Sequence, residues 1–512
     1  MSQAIILLAV GAGCFVVLRI ILFVIRSLAS PLRAVGGPFL ARFTDLWYVR
    51  KLSEGEFEKV NKELHEKYGS VVRYGPNRYT INDPDAVKLI YGHGTEFPKS
   101  TWFYAWSNPP DWNLFAELNP HAHGHYRRQY QSTYSMSALV EYEPYVDECI
   151  DIYTQRLSEL SNSGIMANMG HWMQCYAFDV IGCITYSKRF GFLDQGKDIK
   201  GIIGALEKLL VYATMVGVYP SFHRVLLRLN ELIAKGTESA GVNYVLDYTK
   251  NLITENQATP KVIDDEKRGV LVGAKDFLSK FVEKHTKDPN SFTRYHILQG
   301  CANNMIAGSD TTAISLSSIL YHLLKYPETL AKLREEISTF QEAGKVSYPY
   351  IKFKEAQEMP YLQAVIKEAL RLHPATGLPI ERVVPAGGAT ISGKFFPEGT
   401  IVGVNTWIEH RNTLIWGEDA NEFRPERWLS DDSEKISVMN RHWMPFGLGS
   451  RTCIGRHIAH LEISKAIPRL VRDFDFELSE ELSKKDASWS CSTFWFVKPR
   501  NFLVYVRNRS GL

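Results

Sequence analysis

The spacing of apolar residues is close to 3.6 along most of the chain, which is the period of an amphipathic α-helix. This spacing predicts seven helices, over residues 55–68, 139–162, 171–185, 203–216, 294–325, 328–341 and 360–372. β-Branched and aromatic residues beside turn formers predict strands over residues 71–81, 389–404 and 494–506. The pattern indicates a mainly α fold with small β-sheets. It disfavours a doubly wound nucleotide-binding enzyme, in which strands and helices alternate.

An apolar run over residues 4–25 is about long enough to cross a bilayer. Arg26, Arg33 and Arg42 follow this run and no basic residue precedes it, so the positive-inside rule leaves the rest of the chain in the cytosol. We expect one transmembrane helix within residues 1–27, with a cleaved signal peptide as the alternative.

Residues 28–45 contain two prolines and a Gly-Gly pair, which make a stiff turn that cannot continue a helix. We expect this segment to be a hinge between the anchor and one large domain over residues 46–512. The sequence shows no internal repeat and no low-complexity tract.

Composition narrows the possible functions. The formal net charge is only +3 and the basic residues are spread along the chain, which is unlike a nucleic-acid-binding surface. Seven cysteines are present, and none forms a CxxC pair. An odd number without such pairs argues against a disulfide scaffold and a structural zinc site.

The strongest motif reads PFGLGSRTCIGRHIAHLE and centres on Cys453. Gly449 and Gly455 allow the loop to approach a flat cofactor closely. The amphipathic helix that follows starts near the sulfur, so its dipole and the N–H groups around Gly455 favour a thiolate. We expect Phe446 to exclude water beside the sulfur and Arg451 to pair with an anionic edge of the cofactor.

Three other interpretations of this motif are possible. A dinucleotide fingerprint fails because Thr452 stands where its last glycine belongs. Zinc could use Cys453 and His457, one helical turn apart, but two further ligands are not evident. A lone cysteine at a helix start is usually a small core residue. The surrounding glycines, aromatic residue and arginine favour a cofactor ligand instead.

The spacing FxxGxRxCxG is complete and resembles the haem-binding signature of the cytochrome P450 enzymes, a similarity that extends over nearly the whole chain. The resemblance implies a single cytochrome P450 fold and haem b with Cys453 as the axial iron ligand. It also implies a monooxygenase that uses O₂, with NADPH electrons arriving through a flavoprotein reductase. An endoplasmic reticulum membrane location, with the catalytic domain in the cytosol, fits this family and the predicted anchor.

A second motif, AGSDTT, lies inside the apolar helix predicted over residues 294–325. A glycine, an acid and hydroxyls are costly there unless they are paired or hydrated. A helix break capped by Ser309 or Asp310 is the alternative. The resemblance implies that Gly308 makes room for oxygen and that Asp310 and Thr311 relay protons.

Two further sets of residues concern structure and cofactor contacts. Glu368 and Arg371 lie three residues apart on one helix face, which is often only an exposed pair. The resemblance adds Arg427 and implies a buried structural group of three charges. It also implies that the haem propionates contact His123, Arg127, Arg382 and Arg451. His123 stands where the family usually has a tryptophan.

Aromatic loops over residues 97–115 and 491–496 resemble the substrate loops of the family, and several segments resemble the fungal group around pisatin demethylase. The resemblance implies an apolar small-molecule substrate, either in secondary metabolism or in detoxification of a foreign compound. An oxygen-independent isomerase or dehydratase on the same scaffold, a haem carrier and a haem-free adaptor are rival classes. We expect the reductase to approach a basic face that contains Arg128, Arg456 and Lys465.

Overall fold

The computed structural model describes residues 29–108, 112–233, 241–258, 275–484 and 489–509, with a few isolated positions before residue 20. Most of the apolar run predicted to be a membrane anchor therefore lies outside the described residues. Among the described residues, no single helix is both long and apolar enough to cross a membrane. One pair of helices, Ile199–Val216 and Pro220–Leu229, passes that test together but is bent by 120°.

Helices form most of the structure, as the sequence predicts. The α-helices in chain order are α1 Leu46–Ser53, α2 Phe57–Tyr68, α3 Pro84–Tyr91, α4 Pro120–Gln131, α5 Met136–Leu139, α6 Glu143–Ser163, α7 Met169–Tyr186, α8 Phe192–Gln195, α9 Ile202–Val216, α10 His223–Ile233, α11 Gly241–Ala258, α12 Phe277–Lys287, α13 Arg294–Lys325, α14 Pro327–Glu342, α15 Phe353–Gln357, α16 Pro360–Leu372, α17 Thr406–Glu409, α18 Thr413–Trp416, α19 Ser433–His442, α20 Arg456–Asp473 and α21 Glu480–Ser483.

The seven helices predicted from periodicity correspond to α2, α6, α7, α9, α13, α14 and α16, with ends that agree within about four residues. Helix α4 was not predicted, because its sequence PHAHGHYRRQYQ is mostly polar and shows no clear apolar face. Its start is nevertheless well marked, since the Asn119 side chain accepts hydrogen bonds from the backbone N–H groups of His121 and Ala122.

The strands are short and belong to four small sheets. In chain order they are β1 Val71–Gly75, β2 Arg78–Ile81, β3 Ala167–Asn168, β4 Arg382–Val383, β5 Ala389–Ile391, β6 Lys394–Phe396, β7 Ile401–Gly403, β8 Phe474–Leu478, β9 Cys491–Phe494, β10 Phe496–Pro499 and β11 Leu503–Asn508. The orders are β1-β2-β7-β4, β3-β11-β8, β5-β6 and β9-β10. Every pair is antiparallel except β2 and β7. All three predicted strand regions contain strands, but residues 389–404 and 494–506 each contribute to two sheets.

Helix α13 forms the centre of the molecule and packs against α7, α11, α12, α16 and α20. Most of its residues are buried. Near its middle, however, Ala307 is exposed and Thr311 is partly exposed, although both lie in the interior stretch of a 32-residue helix. The core is therefore open at this turn of α13.

Candidate active site

The loop before α20 is held in a fixed shape around Cys453. The Cys453 N–H donates to the carbonyl of Phe446 at 2.8 Å, which closes the loop. Gly449 has a φ of +63°, and a Cβ at this position would lie 2.0 Å from the carbonyl oxygen of Tyr91. Only glycine fits there, because the obstacle is backbone and cannot move aside.

The Cys453 residue is exposed to open space, whereas Cys149, Cys175, Cys183, Cys301 and Cys491 are buried. Protein nevertheless surrounds its thiol closely enough that burial raises its pKa. Backbone N–H groups of Gly455 and Arg456 and the charges of Arg127 and Arg456 act in the opposite direction. A bound metal cation would complete the stabilisation of a thiolate at this position.

The exposed turn of α13 presents Thr311 and Ala307, and the Thr311 hydroxyl donates to the Ala307 carbonyl at 2.8 Å. Gly308 lies beside α7, where an added Cβ would come within 3.1 Å of the Ile181 side chain. The structure thus gives Gly308 a packing role between α13 and α7. Its expected role beside the oxygen site stays a prediction.

The Asp310 carboxylate is 1% exposed and is turned toward α7 and β10. Its Oδ1 accepts hydrogen bonds from the Gln174 amide and from Lys498 Nζ, the latter at 3.1 Å. Its Oδ2 is buried and has no hydrogen-bond partner among the described residues. No direct hydrogen bond joins Asp310 to the Thr311 hydroxyl in the described part of the chain. The sequence analysis identified neither Gln174 nor Lys498.

A group of four cations surrounds the site without a paired carboxylate. We call it the cation group: Lys99, Arg127, Arg382 and Arg451. Arg451 donates to the carbonyls of Glu117 and Leu118 at 2.6 and 3.1 Å, and Arg382 donates to the carbonyl of Glu381 at 2.9 Å. None of the four forms an ion pair with a carboxylate of the described residues.

Lys99 is the member that the sequence analysis missed. It forms a β-bridge with Arg382, and its Nζ donates to the carbonyl of Phe115. The same ammonium lies 4.3 Å from the ring centres of both Phe103 and Phe115. Burial lowers the pKa of Lys99 well below its usual value, and the charges of Arg382, Arg451 and Arg127 lower it further.

His123 lies on α4 one turn before Arg127 and is buried. Burial, followed by the charges of Arg451 and Lys99, lowers its pKa to about 3. The ring is therefore neutral at physiological pH and keeps one N–H that can donate to a carboxylate.

These residues fit a haem. The cation group supplies the positive charge that two propionates need, and buried cations are rarely left without a partner. The exposed Cys453 thiol would supply a ligand to a haem iron, and the open turn of α13 would leave the Thr311 hydroxyl accessible. The zinc interpretation gains no support, because the described residues contain no group of three or more His, Cys, Asp or Glu side chains that could hold a metal ion.

The two aromatic loops singled out in the sequence meet in the structure. Five rings, which we call the aromatic roof, lie with neighbouring centroids 5.1–6.1 Å apart: Trp102, Phe103, Trp106, Phe115 and Trp495. Phe115 is 36% exposed, whereas the other four rings are buried. Trp495 has a φ of +67°, a left-handed conformation that is unfavourable for a bulky residue.

Glu368, Arg371 and Arg427 form a fully buried group, which we call the Glu368 cluster. Both arginines hydrogen-bond to the Glu368 carboxylate at 2.8 Å, and all three side chains are 0% exposed. The Trp428 indole and the Arg424 N–H also donate to this carboxylate. Burial alone would raise the pKa of Glu368, but the two arginines lower it on balance.

Phe446 and the residues expected to face the reductase lie in different environments. Phe446 packs between Trp443 and His460. Arg128 and Arg456 are exposed and line a surface cavity of about 740 Å³ beside the cysteine loop. Lys465 is not on that face.

The expectation for Lys465 was wrong. The Lys465 side chain is 1% exposed and pairs with Glu143 and Asp147, each at 3.0 Å. It faces inward because it lies on the side of α20 that packs against α6. Nine residues, about two and a half turns, separate it from Arg456, so the two side chains lie on opposite faces of the same helix.

The fold and this site define a protein with an exposed cysteine and a group of basic residues that form no ion pair with a carboxylate of the described residues. Residues 36–502 match the family model described as cytochrome P450. The chain is 39% identical over 494 residues to a pisatin demethylase of Fusarium vanettenii, covering 96% of this chain and 92% of that protein. It is 38% identical to a cytochrome P450 monooxygenase of Aspergillus terreus, covering 90% and 94% respectively. It is 36% identical to the cytochrome P450 monooxygenase cicH of Emericella nidulans, covering 93% and 94%.

The chain belongs to the cytochrome P450 family. It is therefore an oxidoreductase of the monooxygenase class, and the family implies a haem-thiolate cofactor, which confirms the resemblance found in the cysteine motif.

Proposed function

We propose that this protein inserts one atom of O₂ into a C–H bond of an apolar, ring-containing small molecule in fungal secondary metabolism. The observation that carries the proposal is the combination of an exposed Cys453 thiol, an open turn at Ala307 and Thr311, and four cations without counter-charges. Each of these features has a use beside a haem and a cost without one.

Each group of residues at the site has a separate role. A bound haem supplies oxygen activation at an iron held by the Cys453 thiolate. The cation group would hold the carboxylates of the haem, and the neutral His123 ring keeps an N–H that would donate to one of them. The Thr311 hydroxyl and the Asp310 carboxylate would hold and move protons at this site.

An aromatic, apolar substrate is supported by the aromatic roof, in which Phe115 exposes part of its ring. Two pisatin demethylases stand among the similar proteins, so oxidative demethylation of a foreign aromatic compound is the second candidate. Comparing the metabolites of the native host with those of a gene-deletion strain tests the first candidate. Incubation with pisatin tests the second.

Oxygen-independent isomerisation or dehydration remains the rival chemistry on this fold. The presence of both Asp310 and Thr311 disfavours it, because those reactions need no delivery of protons to oxygen. Turnover under ¹⁸O₂ separates the possibilities, because hydroxylation places one labelled atom in the product, demethylation releases the labelled atom as formaldehyde, and isomerisation or dehydration consumes no O₂.

We infer that NADPH electrons arrive through a flavoprotein reductase docked near the cysteine loop. Support comes from the exposed Arg128 and Arg456 beside the cavity at that loop. Opposite charges on a partner would steer its approach.

A single-pass anchor in the endoplasmic reticulum membrane is part of the same proposal. It rests on the apolar run of residues 4–25 and the arginines that follow it. Deleting residues 1–27 should release a haem-binding domain from the membrane fraction. Full membrane retention with haem bound would show that another surface holds the protein there.

Cys453 gives the decisive test of the cofactor. The reduced parent protein with carbon monoxide should show the red-shifted Soret band of thiolate ligation. Cys453→His should keep haem and lose that band. If Cys453→Ala retained the band, the ligand assignment would be wrong.

A further inference from the structure

Lys498 connects the buried acid of α13 to the protein surface. Its Nζ lies 3.1 Å from Asp310 Oδ1 and 2.9 Å from Glu207 Oε1. The three side chains are 1%, 20% and 56% exposed, in the order Asp310, Lys498, Glu207. They form a continuous path of charged groups from the interior to solvent.

Both contacts keep the Lys498 ammonium charged. Burial alone would lower the pKa of Lys498, but the carboxylates of Asp310 and Glu207 raise it on balance. An ammonium held between two carboxylates has a fixed position, because each carboxylate restricts the rotation of its long side chain. Lys498 is therefore a rigid partner for Asp310.

The contact also fixes which oxygen of Asp310 stays available. Oδ1 is occupied by both Gln174 and Lys498, whereas Oδ2 is buried and has no partner among the described residues. A buried carboxylate oxygen without a partner is costly, so the hydrogen bonds that Gln174 and Lys498 donate to Oδ1 carry the compensation for this buried charge.

Lys498 is also joined to the substrate side of the molecule. It lies on β10, in the same hairpin as Trp495 of the aromatic roof, and β10 packs against α13. Glu207 lies on α9, which packs against the turn Thr101–Trp106 that supplies three roof residues. The ion pairs of Lys498 thus connect the elements that hold the roof to the acid that serves the oxygen site.

We propose that Lys498 is a positioning residue for oxygen reduction, which holds Asp310 with its Oδ2 free and links it to solvent through Glu207. The proposal rests on the monooxygenase function proposed above. It predicts that Lys498 controls how completely oxygen is reduced, while haem binding stays unaffected.

The test uses the full-length holoenzyme with an NADPH-dependent reductase and no added substrate. NADPH oxidation, oxygen uptake and hydrogen peroxide release are measured in H₂O and in D₂O. In Lys498→Met we expect the ratio of peroxide to water to rise about tenfold, the usual worth of one charge-assisted hydrogen bond. The solvent isotope effect on NADPH oxidation should also increase, because proton delivery becomes slower.

Three further variants separate a positioning role from a general effect on the fold. Lys498→Arg should restore the parent ratio, since a guanidinium can bridge both carboxylates. Glu207→Gln, at the exposed end, should cause a smaller change in the same direction. Lys208→Met removes an exposed charge from the neighbouring position of α9 and should match the parent.

Haem content and the carbon monoxide spectrum are recorded for every variant. Parent-like peroxide release and isotope effect in Lys498→Met with full haem content would overturn the proposal and leave an ordinary structural ion pair. If Lys498→Met does not fold, a parent-like Glu207→Gln would overturn it instead. A parent enzyme that shows no reductase-driven oxygen uptake would count against the proposed function, which keeps the two failures distinct.

Discussion

Two groups of charges in this molecule differ in whether they contain their own counter-charges. In the Glu368 cluster, one carboxylate receives hydrogen bonds from two arginines, and every member is fully buried. In the cation group, four basic residues lie near one another; three of them donate to carbonyl oxygens, and none of the four forms an ion pair with a carboxylate of the described residues. The first group is complete within the polypeptide, and the second is complete only with an external anion. Burial alone therefore does not distinguish a structural charge from a ligand-binding one, whereas the counter-charge does.

The largest expected effect comes from breaking the complete group. Glu368→Ala leaves Arg371 without a carboxylate and Arg427 with Asp419, at 3.2 Å, as its remaining acidic partner among the described residues, which should lower the free energy of unfolding by about 3–5 kcal/mol. Denaturant unfolding measures this, with poor expression and low haem content as accompanying signs. Arg507→Ala is the matched control, because Arg507 and Glu477 form an ion pair whose side chains are 71% and 61% exposed. If both variants lost the same small amount, the Glu368 cluster would not stabilise the fold.

A smaller effect, on the rate of haem loss rather than on unfolding, is expected from a change in the cation group. Arg382→Met removes one propionate partner, and a hydrogen bond to a charged group is worth about 1.5–3 kcal/mol. Haem transfer to an excess of apomyoglobin should therefore become about 10–100-fold faster. Unfolding by denaturant should change much less than in Glu368→Ala. An unaltered rate of haem loss would mean that Arg382 does not contact the cofactor.

The pH dependence of haem affinity gives a further test of the cation group. Protein groups lower the pKa of Lys99, and a propionate beside it would raise that pKa again, so haem binding should take up a proton. The stabilisation is present at low pH and is lost as the pH rises through the pKa of the bound state. Haem affinity should therefore fall as the pH rises from below the pKa of Lys99 in the free protein through its pKa in the bound state.

Haem titrations of the protein across that range measure this fall. Lys99→Met should weaken binding at neutral pH and flatten the dependence, whereas the exposed Lys354→Met should leave it intact. An equally steep dependence in Lys99→Met would assign the proton to another group.

The smallest effect is expected from Arg456, a cation that is exposed and forms no ion pair with a carboxylate of the described residues. Charge reversal in Arg456→Glu should slow reductase-supported turnover about threefold to tenfold, and added salt should reduce the difference from the parent. Peroxide-supported turnover, which needs no reductase, should stay nearly unchanged. Equal losses in both assays would show that Arg456 acts on the haem site rather than on docking.

Local sequence patterns predicted much of this molecule, because apolar periodicity reports directly on helix faces. The bounds of α13 and α16 were predicted to the residue, and the i, i+3 spacing placed Glu368 and Arg371 on one face. Joining Arg427 to them needed the family resemblance, since 56 residues separate it from Arg371 in the chain.

Long-range contacts of lysine were beyond the sequence. Lysine is almost always exposed, so composition places Lys99, Lys465 and Lys498 on the surface. In the structure, each of the three is buried or mostly buried, and its ammonium contacts a distant segment. Helical spacing puts Lys465 on the face of Ile458 and Leu461, but no local signal identifies the carbonyl and carboxylate partners, which lie at least 16 residues away in the chain.

The hairpin of β9 and β10 has a consequence for the order in which the protein is made. A ribosome has already produced Asp310 and Cys453 when Trp495 and Lys498 are still to be added. Strand β11 then pairs with Ala167 and Asn168, which were synthesised more than 300 residues earlier. Until these late segments emerge, the acid of α13 lacks its ammonium partner and the aromatic roof lacks one ring. The contacts of Asp310 and the aromatic roof therefore cannot be completed before residues 495–498 are translated, and a nascent chain that stalled earlier would hold the cysteine loop without them.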